Sequence, residues 1–203
     1  MSSRNLEQIT AYLALLEKWN ARINLTAIRD EAGILTRHFG ESFFLAQNLF
    51  PGGGRSGQSS GVAPTRVVDI GSGAGFPAIP IKLWQKDIQL TMIEANHKKA
   101  TFLKEVTRTL GLDGVEVVTS RAEALAGRPD FPRADVVTFR AVEHFDEILE
   151  IAVTLLAHGG RLAILVGSQQ IESQKTISQV AWKKPIKVPL SETRILRIGS
   201  VAR

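Results

Sequence analysis

The run Val67-Val68-Asp69-Ile70-Gly71-Ser72-Gly73-Ala74-Gly75-Phe76-Pro77 constrains this chain more than any other stretch. Its β-branched opening predicts a strand, its alternating glycines a tight loop, and Pro77 suits the first position of a helix. The glycines strip the loop of side chains, so a ligand can lie against bare backbone N–H groups. That order of parts predicts a site for a nucleotide-like cofactor.

The spacing separates the cofactor classes. The glycines fall at i, i+2 and i+4, whereas a dinucleotide fingerprint places them at i, i+2 and i+5. A carboxylate at Asp69, where the strand ends, repels a pyrophosphate. It suits a ligand with a cationic end, such as the methionine ammonium of S-adenosylmethionine. The plain alternative is a strand-to-helix turn that only needs glycine.

A chain of 203 residues can bury one good core. With 44% hydrophobic and 22% charged residues it reads as an ordinary globular protein. No apolar run approaches the ~20 residues that span a bilayer, and the polar start Met1-Ser2-Ser3-Arg4 does not read as a secretory signal. Both point to a cytoplasmic protein without membrane contact. The absence of cysteine excludes disulfides, thiolate metal sites and a cysteine nucleophile, and no metal is expected. A net charge of +5 with a pI near 9.7 points to a polyanionic partner, nucleic acid first, with simple solubility as the alternative.

Along the chain, Leu6, Ile9, Leu13, Leu16 and Trp19 recur at helical steps and predict an amphipathic helix from Arg4 to about Asn20. Asn20 and Asn24 end it, Thr26 or Asp30 caps the next helix, and a third covers His38 to Phe50. Residues 1–50 thus form an N-terminal helical extension. Residues 51–65, rich in Gly and Ser, read as a linker, and 66–203 as the ligand-binding domain. There the expected strands are Val67–Ile70, Ile88–Ile93, Val115–Thr119, Val136–Phe139 and Leu162–Val166. Helices are expected between them at Pro77–Gln85, Lys98–Leu110 and Phe145–Ala157. This alternation predicts an α/β fold with a doubly wound, mostly parallel sheet. Ile186–Leu190 and Arg194–Val201 predict a C-terminal antiparallel hairpin.

Ligands of such sheets bind beyond the carboxyl ends of the strands. Standing there are Asp69 with the glycine loop, Glu94, then Arg121-Ala122-Glu123, and Arg140-Ala141. Glu94 follows Asp69 by 25 residues, where a carboxylate can accept from ribose hydroxyls. Each has a plain structural reading: Glu94 as a helix cap, Glu123 as a first-turn acid, Arg140 as an ion-pair partner. Their convergence on one edge favours a ligand.

These residues resemble the RsmG (GidB) family of class I methyltransferases. That family uses S-adenosylmethionine to methylate N7 of a guanine in small-subunit ribosomal RNA. Trp19-Asn20, Asn24-Leu25-Thr26-Ala27, Arg37-His38 with Ser42, and Asp69 through Pro77 carry the resemblance. So do Glu94, Lys98-Lys99, Phe102-Leu103, Arg121-Ala122-Glu123 and Arg140-Ala141. The resemblance covers nearly the whole chain and implies a class I methyltransferase-like fold. By the same resemblance, Gly71, Gly73 and Phe76 line the methionine end of the cofactor, and Asp69 is expected among the cofactor-binding residues. Glu94 holds the ribose, and Ala122 and Glu123 flank the adenine. Arg140 lies near the cofactor and the incoming base as a positioning residue, with no general base required. Asn24, Arg37 and His38 form a helical lip over the pocket.

The candidate RNA contacts are Asn24, Arg37, His38, Lys98, Lys99 and Arg121, with Arg29, Lys183, Lys184 and Lys187 as further cations. The implied partner is small-subunit ribosomal RNA or an assembling ribosomal particle, met by a monomeric enzyme. The chain departs from the family pattern at Ala78 (usually glycine), Glu41 (usually aspartate) and Val166 (commonly lysine), and in a long Gly-rich insert at 52–61. Two other classes stay open: a methyltransferase with a non-RNA substrate, and a non-catalytic RNA-binding or assembly protein keeping the fold. A substrate other than RNA predicts binding that is insensitive to salt.

Overall fold

A computed structural model describes residues 3–53, 63–142, 144–167 and 179–202. Its centre is an eight-stranded sheet of β1 (Arg66–Ile70), β2 (Gln89–Ile93), β3 (Val115–Val118), β4 (Ala134–Arg140), β5 (Leu156–Gly167), β6 (Val180–Trp182), β7 (Ile186–Lys187) and β8 (Arg194–Val201). The order is β3-β2-β1-β4-β5-β8-β6, with β7 pairing β8. The strands from β3 to β5 run parallel, and β8 closes the sheet antiparallel to β5, β6 and β7. The doubly wound sheet and its antiparallel end agree with the sequence reading. β6 was not foreseen, because three residues carry too little pattern.

The helices are α1 (Ser3–Ile23), α2 (Glu31–Ile34), α3 (Glu41–Leu49), α4 (Ala78–Trp84), α5 (His97–Thr109), α6 (Ala122–Ala126) and α7 (Phe145–Leu155), with a π-helical turn at Leu35–Gly40 joining α2 to α3. Helix α1 outruns its expected end because Asn20 turns inward and accepts from the Thr26 amide at 2.9 Å. The break comes at Asn24, whose φ is +54°. Asp30, not Thr26, is the cap that starts α2, accepting from Gly33 N at 2.6 Å. Helical backbone also starts before His38 and reaches it through the π turn. Helix α7 stops at Leu155, short of Ala157, where the chain enters β5. The pairing with β4 then slips: Leu156 faces Ala134, but Arg161 faces Val136. The linker read over 51–65 lies at 54–62 outside the described residues, as does most of the insert at 52–61.

Both faces of the sheet are covered. On one, Val68, Ile70, Val137, Phe139, Ile164 and Val166 pack with Leu149, Ala152 and Leu155 of α7. On the other, Val67, Met92, Val136 and Leu165 meet α4 and α5, and the N-terminal helices join them through Tyr12, Leu16, Phe39 and Leu45. Side chains alternate along a strand, so Asp69 shares the face of Val67 and points toward the N-terminal helices. No helix of the described residues is long and apolar enough to cross a membrane.

Candidate functional site

A cavity of about 710 Å³ opens at the carboxyl edge of the parallel strands. At the opposite edge the depression near Arg66, Gln89 and Gly114 is about 380 Å³. Size and position both mark the former as the ligand site. Its floor is the loop from Gly71 to Phe76, and its sides carry Glu94, Lys99, Arg121, Glu123 and Arg140. Leu25, Thr26 and His38 form the lip.

The loop follows from its glycines. Gly71, Gly73 and Gly75 take φ of +65°, +54° and +85°, a region costly for other L-residues. Its amides, however, are not bare. Gly71 N and Ser72 N donate to Ile93 O at 2.9 and 3.1 Å, Gly73 N to Glu94 Oε2 at 2.8 Å, and Gly75 N to Ser72 O at 2.6 Å. The expectation of free N–H groups is therefore corrected: four donors are consumed inside the protein. The carbonyls of Gly71 and Gly73 have no protein donor among the described residues. An acceptor surface of this kind fits an ammonium and refuses a phosphate.

Glu94 does two jobs. Its Oε2 accepts from Gly73, and its Oε1 accepts from Asn96 N at 2.8 Å, so one buried carboxylate splints the loop to the start of α5. Each oxygen keeps a lone pair for a ligand hydroxyl. The helix cap itself is Asn96, which accepts from the amides of Lys98 and Lys99.

Asp69 lies under the loop, outside the cavity wall, 1% exposed. Its Oδ1 accepts from Thr138 Oγ1 at 2.7 Å, while Oδ2 is buried with no partner among the described residues. Burial raises its pKa to about 6, opposed by hydrogen bonding from Ser72 and Thr138 and by the Arg140 charge.

Arg140 is bound to the lip more than to open space. NH2 meets His38 Nδ1 at 2.8 Å, and NH1 donates to Arg37 O at 3.0 Å and reaches Glu41 Oε2 at 3.5 Å. The longer carboxylate of Glu41 is thus the buried counter-charge of Arg140. The His38 ring stacks on Phe76 with centroids 4.9 Å apart, and Nε2 lies 2.7 Å from Thr26 Oγ1. Burial and then the charges of Arg140, Arg37 and Arg194 lower the His38 pKa to about 3, so the imidazole is neutral.

The structure gathers Gly71, Gly73, Phe76, Glu94, Glu123, Arg140, His38, Lys99 and Arg121 around the cavity. It leaves Asn24, Arg37 and Lys98 exposed beyond the wall, and buries Ala122 behind it. Sequence reasoning missed Thr26, His144 and Glu147, which line the cavity. It also missed Arg194. This residue faces Gly167 across the β5–β8 pairing, on the strand face of Leu165 and Leu196, close enough to lower the pKa of both His38 and Arg140. Val166 points to the other face, 2% exposed in the core beside α7, so its side chain has no place in the cavity.

The family model described as rRNA small subunit methyltransferase G matches residues 5–193. The chain belongs to that family. Relatives named ribosomal RNA small subunit methyltransferase G include one from Roseiflexus castenholzii, 37% identical over 97% of this chain and 83% of its own length. Another, from Chromobacterium violaceum, is 35% identical over 93% and 85%. Among solved structures, cofactor-bound Rv0187 from MTB is similar with a TM-score of 0.67 and 15% identity, over 96% of this chain and 89% of that one. The ribosomal protein L11 methylase from Lactobacillus delbrueckii subsp. bulgaricus aligns with a TM-score of 0.59 and 15% identity, over 80% and 77%. At such identities the structures speak for the fold, which agrees with the class I methyltransferase-like expectation.

Proposed function

We propose that the cavity at the carboxyl edge holds S-adenosylmethionine against the Gly71–Phe76 loop and receives N7 of a guanine of small-subunit ribosomal RNA over the lip. Family membership makes the chain an S-adenosylmethionine-dependent methyltransferase of small-subunit ribosomal RNA. The observation that carries the assignment of the site is the acceptor character of the loop, with the amides of Gly71, Ser72, Gly73 and Gly75 spent and the carbonyls of Gly71 and Gly73 without a donor among the described residues.

Gly71 and Gly73 would hold the ammonium through their carbonyls, Glu94 the ribose hydroxyls, and Glu123 with buried Ala122 the adenine side. The Asp69 carboxylate adds a negative field beneath the loop. When bound, S-adenosylmethionine supplies a methyl group activated by a cationic sulfur. Guanine N7 carries an exposed lone pair, so no protein group has to remove a proton. His38, neutral and engaged at both ring nitrogens, matches that lack of need. What remains for the chain is alignment and exclusion of water, with Phe76 and Leu25 giving the apolar wall. Lys99, Arg121 and Arg194 would meet phosphates of the RNA, which has to present an unstacked base. The enzyme would act as a cytoplasmic monomer, where its substrate is found.

The test is methyl transfer from labelled S-adenosylmethionine to small-subunit RNA, free and in particles, with the product mapped by N7-selective cleavage. A single labelled guanine, lost in Arg140→Ala and Gly71→Asp, is expected. Unlabelled RNA in the presence of tightly bound S-adenosylmethionine overturns the RNA reading.

A further inference from the structure

Thr26 has one hydrogen-bonding direction left, and the groups around it decide which. Arginine has no lone pair to offer, so Arg140 donates to His38 Nδ1 and that nitrogen accepts. A neutral imidazole accepting at Nδ1 carries its proton on Nε2, which donates to Thr26 Oγ1 at 2.7 Å. The Ile28 amide donates to the same oxygen at 3.1 Å. Both acceptor positions of the hydroxyl are now filled, and its own proton has no acceptor among the described residues. Thr26 is half-buried and lines the cavity. The chain Arg140 to His38 to Thr26 therefore ends in a neutral donor of fixed polarity, in a site where the Gly71 and Gly73 carbonyls and Glu94 accept.

We infer that the Thr26 hydroxyl donates to O6 of the target guanine and so selects guanine over purines that lack that oxygen. This rests on the function proposed above and names the contact that recognises its substrate. Guanine presents N7 and O6 side by side as acceptors, whereas adenine sets an amino donor beside N7. A fixed O–H next to the methyl-accepting nitrogen meets a partner in the first and a second donor in the other. The hydroxyl is neutral and stands on the lip, not on the glycine loop. Arg194, whose charge acts on both His38 and Arg140, has no side-chain partner among the described residues and is the better match for an anionic group. His38 and Arg140 act here as positioning residues: they fix the hydroxyl's polarity without touching the base.

The experiment uses the whole chain and RNA substrates carrying guanine or 2-aminopurine, which keeps N7 and lacks O6, at the target position. Wild type is expected to prefer guanine by about 10–100-fold in kcat/KM. Thr26→Val should lose most of its rate on guanine and keep its rate on 2-aminopurine, collapsing the preference, with S-adenosylmethionine affinity by calorimetry unchanged. Thr26→Ser should restore the preference. A wild type that methylates both substrates equally overturns the inference without any variant. So does a Thr26→Val enzyme that loses both rates together with cofactor affinity, since the hydroxyl then serves the cofactor's carboxylate. A wild type that binds S-adenosylmethionine and labels no RNA overturns the proposed function instead.

Discussion

The hydroxyl of Tyr12, on the first helix, donates to the carbonyl of Ala74, 62 residues later in the glycine loop. The ring is fully buried, stacks on Phe76 at 5.1 Å and meets Phe39 edge-on at 5.2 Å. The N-terminal helices in this way brace the floor of the cavity at the carboxyl edge. Tyr12→Phe should keep the packing, leave the Ala74 carbonyl unpaired and cost about 1–2 kcal/mol in urea unfolding. S-Adenosylmethionine should bind several-fold more weakly by calorimetry. Unchanged stability and affinity would show that the floor does not depend on the bond.

Gly75 is held by the same contact. At φ +85° a Cβ there would stand 2.5 Å from Tyr12 Oη and 2.6 Å from Ile79 Cδ1. Gly75→Ala is expected to lose about 3 kcal/mol or more. Gly111→Ala, at φ +58° with open space around it, should lose only the backbone cost of about 1 kcal/mol. Equal losses in thermal unfolding would contradict the crowding.

Glu94→Gln keeps one carbonyl oxygen for the two amides that the carboxylate now serves. One of Gly73 N and Asn96 N is then left to face an NH2 group. Affinity for S-adenosylmethionine should fall by at least about tenfold, the weight of a charge-assisted bond. Amide exchange at Gly73 should quicken in the free protein. A variant with weaker binding but unaltered exchange would assign Glu94 to the ligand alone and not to the splint.

Two buried groups give opposite pH dependences. Asp69, with its pKa raised from 3.8 to about 6, favours the folded state when protonated. Its burial costs stability progressively as pH rises from about 4 to 6, up to about 3 kcal/mol. His38, lowered from 6.5 to about 3, favours the folded state when neutral. Its contribution is lost as pH falls from 6.5 toward 3, about 5 kcal/mol in all. Between pH 4 and 6 the two offset each other. Asp69→Asn should therefore lose stability on acidification more steeply than wild type, and His38→Gln should gain. Parallel urea midpoints for all three proteins across that range would refute the pair.

The sheet was legible because β-branched runs and glycines are local signals: Val67 to Pro77 announces strand, loop and helix in eleven consecutive residues. Glu94 and Arg140 were legible from their places at strand ends. What the residues are bonded to was not. The direction of Asp69 depends on strand parity relative to a helical layer that sequence does not locate. Arg140 finds its partners 99 to 103 positions away, beyond any local pattern. Thr26 stood inside a recognised motif, yet its polarity comes from a guanidinium on the far side of the chain.

That separation has a consequence for the protein while it is being made. Residues 24–41 leave the ribosome well before Arg140, and until β4 arrives no guanidinium fixes the tautomer of His38, 102 residues earlier. Domains fold as units during synthesis. The lip and its proton order are accordingly completed by the fourth strand, so no shorter nascent piece carries a finished lip. Pairing β4 into the sheet and fixing the proton order of the lip are one event in the life of the chain.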